Sequence, residues 1–436
     1  MRLAKNSIYL LCDKVFILFS GLVLSIYTYR ELGPEQVGIL NSAQSYWALF
    51  GFLLSLGLES VLVQLSVNNK NNKLLPTAFV MKLIGSLLGA GLSLVIAVWF
   101  QDRVDFLIAL LFYALGGVFS SFNVVDCFFQ AQGRSDVGVK CRVFAKLVSY
   151  ALHIYFLATG KTLIYFAFVT FFYNVVLSVS YGWFYKYSYG LKLISFNRSS
   201  VSISLAKKLF VKSYPLMLAS IAVPIFMQSD VVMINSMLGG EEAGYYSAAT
   251  KLIIPLNLFS TALVTAFFPY LVSLYGRNEN VYYDACVSFL HGMLIYLSLC
   301  VSLFVYFFSD TIVAWLYGVE FSRSSDILKI QAWTCCLSFI GPAGTRWLII
   351  KGLQKFEFYK TALAAIVNVI LNAVLISSNG AVGAAYSSLI SYAVANILFF
   401  LFFKDTREYF FVLLSSFKPS ILLSSMRKLR NPEFKK

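Results

Sequence analysis

The chain has 436 residues, of which 59% are hydrophobic and 13% are charged, and its mean hydropathy is +0.75. These values lie far outside the range of ordinary soluble domains and indicate a protein of the lipid bilayer. The formal net charge is +15, but nucleic-acid binding requires a solvated basic face that the sequence does not offer, so nucleic acid is excluded as a partner.

The apolar segments predict an all-α integral membrane protein with about twelve transmembrane helices. A helix needs about 20 largely apolar residues to cross ~30 Å of hydrocarbon. The seven cysteines show no metal-ligand spacing, so neither a metal site nor a disulfide framework is predicted. In chain order, the predicted spans lie near residues 8–29, 38–66, 75–100, 104–130, 141–159, 162–185, 209–238, 243–274, 285–308, 326–350, 358–378 and 381–403.

Basic residues alternate between the predicted loops. Lys and Arg close to helix ends are retained on the cytoplasmic side, so this alternation predicts that both termini are cytoplasmic. The loops that are poor in basic residues contain only Arg30, Arg103, Lys161 and Arg323. The alternate loops, which are rich in basic residues and predicted to be cytoplasmic, contain the cluster at 186–212, the tail, and Arg2, Lys5, Lys70, Lys73, Arg134, Lys140, Arg142, Arg277, Lys351, Lys355 and Lys360.

A seven-residue element occurs after the first and again after the seventh span. Residues 32–38 are Leu-Gly-Pro-Glu-Gln-Val-Gly, and residues 238–244 are Leu-Gly-Gly-Glu-Glu-Ala-Gly. Interruption of the helices at the same relative place in two halves is typical of duplicated membrane carriers, whose central path lies between the repeats.

The longest polar connection inside the chain separates six spans from six others. It predicts a six-helix lobe at 1–190, a cytoplasmic linker at 191–208 and a second six-helix lobe at 209–403. An even number of spans in each half gives the lobes parallel topology around a central cavity. Residues 404–436 are interpreted as a basic, amphipathic cytoplasmic tail that lies at the membrane interface.

These features resemble the polysaccharide-transporter branch of the MOP superfamily, and most closely its Wzx-type O-antigen flippases. The resemblance rests on the two glycine-bounded elements, the six-plus-six spans and the short basic link. In the second half, residues 214–215, 228–234 and 244–249 are similar to the best-marked region of that family. The superfamily also contains lipid II flippases and drug or cation antiporters.

The resemblance implies a MATE-like fold and transport rather than enzyme catalysis. The implied cargo is an undecaprenyl-diphosphate-linked oligosaccharide, the O-antigen repeat unit of lipopolysaccharide biosynthesis. It would move from the cytoplasmic to the periplasmic leaflet of a bacterial inner membrane by alternating access. Membrane lipid, the O-antigen polymerase and the chain-length regulator are the other implied partners. No cofactor is implied, and coupling to a proton gradient, to a sodium gradient or to the membrane potential stays open.

Ionisable residues inside spans are the candidates for lining a substrate cavity, because they are costly in lipid and usually face the protein interior or water. For Lys14, Lys82, Lys146 and Arg346, which lie near cytoplasmic helix ends, anchoring by snorkelling is an equal alternative. The full set of candidates is Asp13, Lys14, Glu59, Lys82, Asp126, Lys146, Asp230, Lys251 and Arg346, together with the amides Asn368 and Asn372, for which bonding between helices is the favoured use.

Asp230 and Lys251 each lie about eight residues from the 238–244 turn, or roughly 12 Å along a helix at 1.5 Å per residue, and are predicted to face each other. Three interpretations stay open: a structural ion pair, exchange of Asp230 for a substrate phosphate at Lys251, and proton or cation coupling through Asp230. Pro215, Pro224 and Pro255 remove helix hydrogen bonds and are candidate hinges.

Two other classes of function remain as alternatives. A drug or cation antiporter would need an acidic, aromatic pocket, whereas lysines inside the predicted spans rival the acids in number. A membrane glycosyltransferase or O-antigen polymerase would need a large periplasmic loop with catalytic polar residues, and the longest candidate loop, around residues 309–325, is short. Anionic cargo and transport are therefore favoured.

Overall fold

The computed structural model describes residues 2–68, 73–101, 103–189 and 201–429, and every regular element in these ranges is a helix. Helices suit a bilayer because each backbone N–H and C=O is bonded within its own segment. The prediction of an all-α membrane protein is confirmed. The α-helices are α1 (Arg2–Leu49), α2 (Gly51–Ser55), α3 (Leu58–Asn68), α4 (Leu74–Phe100), α5 (Val104–Phe119), α6 (Val124–Ala131), α7 (Ser135–Ala158), α8 (Leu163–Tyr189), α9 (Ile203–Leu238), α10 (Gly240–Ile253), α11 (Asn257–Gly276), α12 (Asn280–Tyr317), α13 (Ser324–Ile350), α14 (Lys355–Ala393), α15 (Phe399–Phe402), α16 (Arg407–Ser416) and α17 (Pro419–Leu429).

Nine helical segments of the described chain are long and apolar enough to cross a bilayer, or ten if the bent pair Lys404–Ser416 and Pro419–Leu429 forms one span. Two of these segments contain a glycine with non-helical torsion angles, Gly33 in α1 (φ 70°, ψ 172°) and Gly380 in α14 (φ 65°, ψ −151°). Each of these glycines joins two helices that the sequence predicts as separate spans. The total of twelve stays a prediction.

The chain forms two compact units, unit 1 ending at Gly244 and unit 2 starting at Tyr245. The two six-helix lobes are predicted from the polar linker at 191–208, and their boundaries stay predictions. Residues 191–200 of the predicted linker and 430–436 of the predicted tail lie outside the described residues.

Unit 1 has an apolar core to which α3, α4, α6, α7 and α8 all contribute. Leu58 and Leu62 of α3, Phe129 of α6 and Tyr181 of α8 are fully buried in it. In a membrane protein, close packing of such side chains holds helices together, because lipid tails are as apolar as the side chains themselves.

The last two helices of unit 2 pack on α12. The Tyr409 hydroxyl of α16 lies 2.8 Å from Nε2 of His291 in α12, and both side chains are buried. Leu422 of α17 lies so close to Gly292 that a Cβ on this glycine would be 2.9 Å from it. α16 and α17 meet at 101°. The predicted interfacial position of this tail concerns the membrane and stays a prediction.

The two copies of the repeated element pack against each other within unit 1. Their second residues adopt the same backbone conformation, with φ 70° and ψ 172° at Gly33 and φ 95° and ψ 179° at Gly239, a region that glycine adopts without strain. A Cβ on Gly38 would lie 1.7 Å from the Gly240 carbonyl oxygen, and a Cβ on Gly244 would lie 1.9 Å from the Pro34 carbonyl oxygen. The repeat therefore creates a backbone-to-backbone contact that only glycine permits.

Candidate functional site

A polar cavity of about 460 Å³ lies inside unit 1, with walls from α3, α6, α7 and α8. Its charged and amide lining consists of Glu59, Asn123, Asp126, Gln130, Arg142 and Asn174. The hydroxyl groups in the wall belong to Ser60 of α3 and to Tyr173 and Tyr181 of α8. Burying polar groups inside an apolar helical unit costs free energy unless they form hydrogen bonds or ion pairs with a ligand, with water or with one another.

Arg142 is the centre of the charged network at this cavity. Its Nε donates to Asp13 Oδ2 at 2.8 Å, and its Nη1 donates to Asp126 Oδ2 at 2.9 Å. The Arg142 side chain is 18% exposed, Asp13 is 5% exposed and Asp126 is 14% exposed, so the ion pairs are largely removed from solvent. Gln130 Nε2 donates to the same Asp126 oxygen at 2.8 Å. One guanidinium thus ties α7 to α1 and α6.

Two carboxylates share this one guanidinium. Among the described residues, the second oxygens of Asp13 and Asp126, both Oδ1, are buried and have no hydrogen-bond partner. Asp126 Oδ1 lies over Gly138 of α7, where a Cβ would be 1.8 Å from it. With both carboxylates ionised, the group of Asp13, Asp126 and Arg142 carries one net negative charge.

Lys82 of α4 turns toward the protein interior. Its side chain is 2% exposed, and its Nζ lies 3.5 Å from Oε1 of Glu59, a residue of the cavity wall whose side chain is 59% exposed. Whether Lys82 lines the substrate cavity or anchors its helix stays a prediction. Lys146 of α7 lies over aromatic rings, with its Nζ 4.2 Å from the centre of the Tyr173 ring and 5.7 Å from that of Tyr150.

The remaining candidates of unit 2 are Arg346, Asn368 and Asn372. Arg346 of α13 lies over the Phe268 ring, with Cζ 4.7 Å from the ring centre. Asn372 Nδ2 donates to Asn368 Oδ1 at 3.1 Å within α14, and both side chains are fully buried. This bond is intrahelical, and bonding of the two amides to a neighbouring helix stays a prediction.

The other predicted positions are divided between the two units, and their roles stay predictions. Asp230 is buried in α9 of unit 1, and Lys251 lies in α10 within unit 2, so their pairing stays a prediction. The side chain of Lys14 lies outside the described residues. Helix α9 continues through Pro215 and Pro224, whereas Pro255 lies in a short 3₁₀ segment between α10 and α11, and the hinge role of all three stays a prediction.

Several residues of the cavity wall are absent from the set of cavity residues predicted from the sequence. Arg142 stands among the basic residues that predict topology, although it lies seven residues into α7, roughly 10 Å along the helix at 1.5 Å per residue. A basic residue that far inside a helix is the signal that identifies it. Outside the cavity, Lys360 of unit 2 is also predicted to lie in a cytoplasmic loop. Its side chain is 5% exposed and lies 3.0 Å from Glu357. Tyr173 and Asn174 lie in an aromatic run that conceals them.

Comparisons with known proteins agree with this architecture. The family described as polysaccharide biosynthesis protein matches residues 3–275. A probable low-salt glycan biosynthesis flippase of Haloferax volcanii, Agl15, is 26% identical over 419 residues, which cover 91% of this chain and 83% of that protein.

Two solved structures share the fold. An inward-facing multidrug resistance MATE family transporter of the MOP superfamily has a TM-score of 0.68 at 16% identity, with 92% of this chain and 95% of that chain covered. The lipid II flippase MurJ in an inward closed conformation also has a TM-score of 0.68, at 15% identity, with 99% of this chain and 94% of that chain covered. The predicted MATE-like fold is confirmed.

The family and the fold together agree with the prediction of a transporter rather than an enzyme. The family match covers residues 3–244 of unit 1, which include the polar cavity, and more than half of the 436 residues. The chain therefore belongs to the polysaccharide biosynthesis protein family.

Proposed function

We propose that this protein is a flippase that moves a lipid-linked glycan between the two leaflets of a membrane. The observation that carries the proposal is the polar cavity around Arg142, which lies inside an apolar helical unit of a polysaccharide biosynthesis protein. A glycan cannot cross hydrocarbon unaided, because each unsatisfied hydroxyl or charge buried there costs several kcal/mol. A polar cavity supplies partners for the glycan while its lipid tail stays in the bilayer.

The finer proposal concerns the cargo and its direction. The cargo is an undecaprenyl-diphosphate-linked oligosaccharide, such as an O-antigen repeat unit, and it moves from the cytoplasmic to the periplasmic leaflet of a bacterial inner membrane. Both chain termini are cytoplasmic in this proposal, as the distribution of basic loops predicts. Polymerase and chain-length regulator proteins then receive the product on the periplasmic side.

The diphosphate requires cations. Since Arg142 is already bonded to Asp13 and Asp126, we assign the diphosphate to Lys251 of unit 2, which exchanges Asp230 for the substrate phosphate as the cavity opens. Alternating access, with hinges at the prolines of α9 and at Pro255, then exposes the cavity first to one side and then to the other.

The membrane potential is a sufficient driving force for this direction. When the cell interior is negative, outward movement of one negative charge is favoured by ~2.3 kcal/mol per 100 mV. A diphosphate with about two charges therefore gains ~4–5 kcal/mol at ~100 mV. A proton or sodium gradient is the alternative driving force, with Asp230 or Asp13 as the carrier. Leaflet transfer is expected to follow an imposed potential with no ion gradient present.

The test is transfer of a labelled undecaprenyl-diphosphate oligosaccharide across proteoliposomes under an imposed potential. Wild type is expected to transfer the cargo, and Lys251→Ala is expected to slow transfer about tenfold or more, because a charged hydrogen bond contributes ~1.5–3 kcal/mol. Lys355→Ala removes an exposed lysine of the same unit and is the matched control.

Each other outcome has a defined meaning. Unchanged transfer by Lys251→Ala would remove the phosphate role of this lysine and leave the flippase standing. Absence of transfer by correctly oriented wild type would overturn the proposal of a flippase for this cargo. In that case, export of a fluorescent cationic drug would identify an antiporter, and transfer of labelled lipid II would identify a lipid II-type flippase.

A further inference from the structure

The charges at the polar cavity of unit 1 are already balanced within the protein. Arg142 is bonded to Asp13 and Asp126, and Lys82 lies 3.5 Å from Glu59. Lys146, which lies over an aromatic ring of the cavity wall, adds a third cation, so three carboxylates face three cations and the cluster carries no net charge when all six groups are ionised. An anionic ligand at this place would gain no net charge attraction and would still lose its hydration.

The rest of the polar lining is uncharged. Asn123, Gln130 and Asn174 offer amides, and Tyr173 and Tyr181 offer phenol groups. Gln130 uses one N–H for Asp126, and Asn174 uses one N–H for the Thr170 carbonyl oxygen. Each amide also has a second N–H and a carbonyl oxygen, so the wall presents donors and acceptors together.

Glu59 adds an acceptor at the exposed edge of the cavity. Its Oε1 is the oxygen near Lys82, and in the described part of the chain its Oε2 has no hydrogen-bond partner. A free carboxylate oxygen accepts hydrogen bonds and donates none, so it selects a ligand that carries O–H or N–H groups. Ionised phosphate and carboxylate groups carry neither.

We infer that this cavity binds an uncharged, hydroxyl- or acetamido-bearing sugar of the transported glycan and disfavours uronic acids and phosphate. The inference rests on the proposed function and names the part of the substrate that the site takes. The cavity volume of about 460 Å³ falls in the range of ~300–1,000 Å³ that is typical of small-molecule sites. Gln130 and Asn174 determine affinity, and Glu59 determines the preference for neutral sugars.

The experiment measures binding of three soluble probes to the full-length protein in lipid nanodiscs by isothermal titration calorimetry. The probes are methyl N-acetylglucosaminide, methyl glucuronide and inorganic pyrophosphate. The neutral sugar is expected to bind about tenfold more tightly than either anion. Asn174→Leu and Gln130→Leu are each expected to weaken binding of the neutral sugar by about threefold to tenfold, since each removes hydrogen bonds to it.

Two further variants make the result specific. Gln354→Leu removes an exposed amide from unit 2 and is expected to leave binding unchanged. Glu59→Gln keeps the shape of the side chain, and it is expected to bring the affinity for the glucuronide to within about threefold of that for the neutral sugar.

The inference is overturned if none of the probes binds, if an anionic probe binds wild type as tightly as the neutral sugar, or if the Asn174 and Gln130 variants bind like wild type. Its failure is distinct from failure of the proposed function. Transfer of lipid-linked cargo by a wild type that does not bind the neutral sugar would refute the sugar site alone. Sugar binding without transfer would refute the flippase alone.

Discussion

Arg142→Ala is expected to destabilise the protein by about 3–5 kcal/mol, because it leaves two buried carboxylates without their common cation. Asp13 and Asp126 would face each other's charge across the vacated space, and α7 would lose its ties to α1 and α6. The measurement is the thermal unfolding midpoint of the purified variant in detergent, read together with leaflet transfer in proteoliposomes. Both are expected to fall sharply.

Arg134→Ala is the matched control for this prediction. Arg134 is an exposed arginine at the start of the same helix, with its guanidinium 5.5 Å from the Phe129 ring centre. Combining Arg142→Met with Asp13→Asn and Asp126→Asn removes all three charges at similar volume, and it is expected to recover most of the lost stability. An Arg142→Ala variant as stable as Arg134→Ala would show that the network does not hold unit 1 together.

Gly38→Ala is expected to have the second largest effect, because the added methyl group has no space. Its Cβ would lie 1.7 Å from the Gly240 carbonyl oxygen and 2.6 Å from the Gly244 amide nitrogen, and both of these are backbone atoms that cannot rotate away. Forcing the two repeated elements apart is expected to cost about 1–3 kcal/mol, as overpacking does elsewhere. The thermal unfolding midpoint is again the measurement.

Gly21→Ala provides the control within the same helix. A Cβ on Gly21 meets no atom within 4 Å, so alanine there is expected to be neutral or to stabilise α1 by up to ~1 kcal/mol through its higher helix propensity. Gly244→Ala, on the other side of the same contact, is expected to behave like Gly38→Ala. Equal midpoints for Gly38→Ala and Gly21→Ala would contradict the backbone contact between the two elements.

The membrane class and the repeat were accessible from sequence because both are properties of local segments. Apolar runs long enough to span a bilayer specify helices. Gly33 and Gly239 interrupt those helices with the same non-helical backbone conformation. That the two elements pack on each other was not accessible. The contact joins residues about 200 positions apart, which no periodicity of a single segment encodes.

The candidate site could be predicted only in part from the sequence, for a related reason. Asp13 and Asp126 stand out because an acid inside an apolar span is rare. Arg142 does not stand out, because a basic residue near a helix end has an ordinary explanation in membrane topology. Its contact with Asp13, 129 residues earlier in the chain, exists only after α1 and α7 have packed together. Lys360 was assigned to topology for the same reason, and the structure buries it beside Glu357.

Passage of the glycan through the polar cavity of unit 1 is tested by leaflet transfer of a labelled undecaprenyl-diphosphate oligosaccharide in proteoliposomes that contain either wild type or Asn174→Trp. The large indole fills the polar cavity of unit 1 from its wall, while Gln354→Trp places the same group on the exposed surface of unit 2. Transfer by wild type and by Gln354→Trp, together with a loss of about tenfold or more in Asn174→Trp at unchanged folding, is the predicted result. Equal transfer by all three proteins would show that the glycan does not pass through this cavity, and absence of transfer by wild type would contradict the flippase itself.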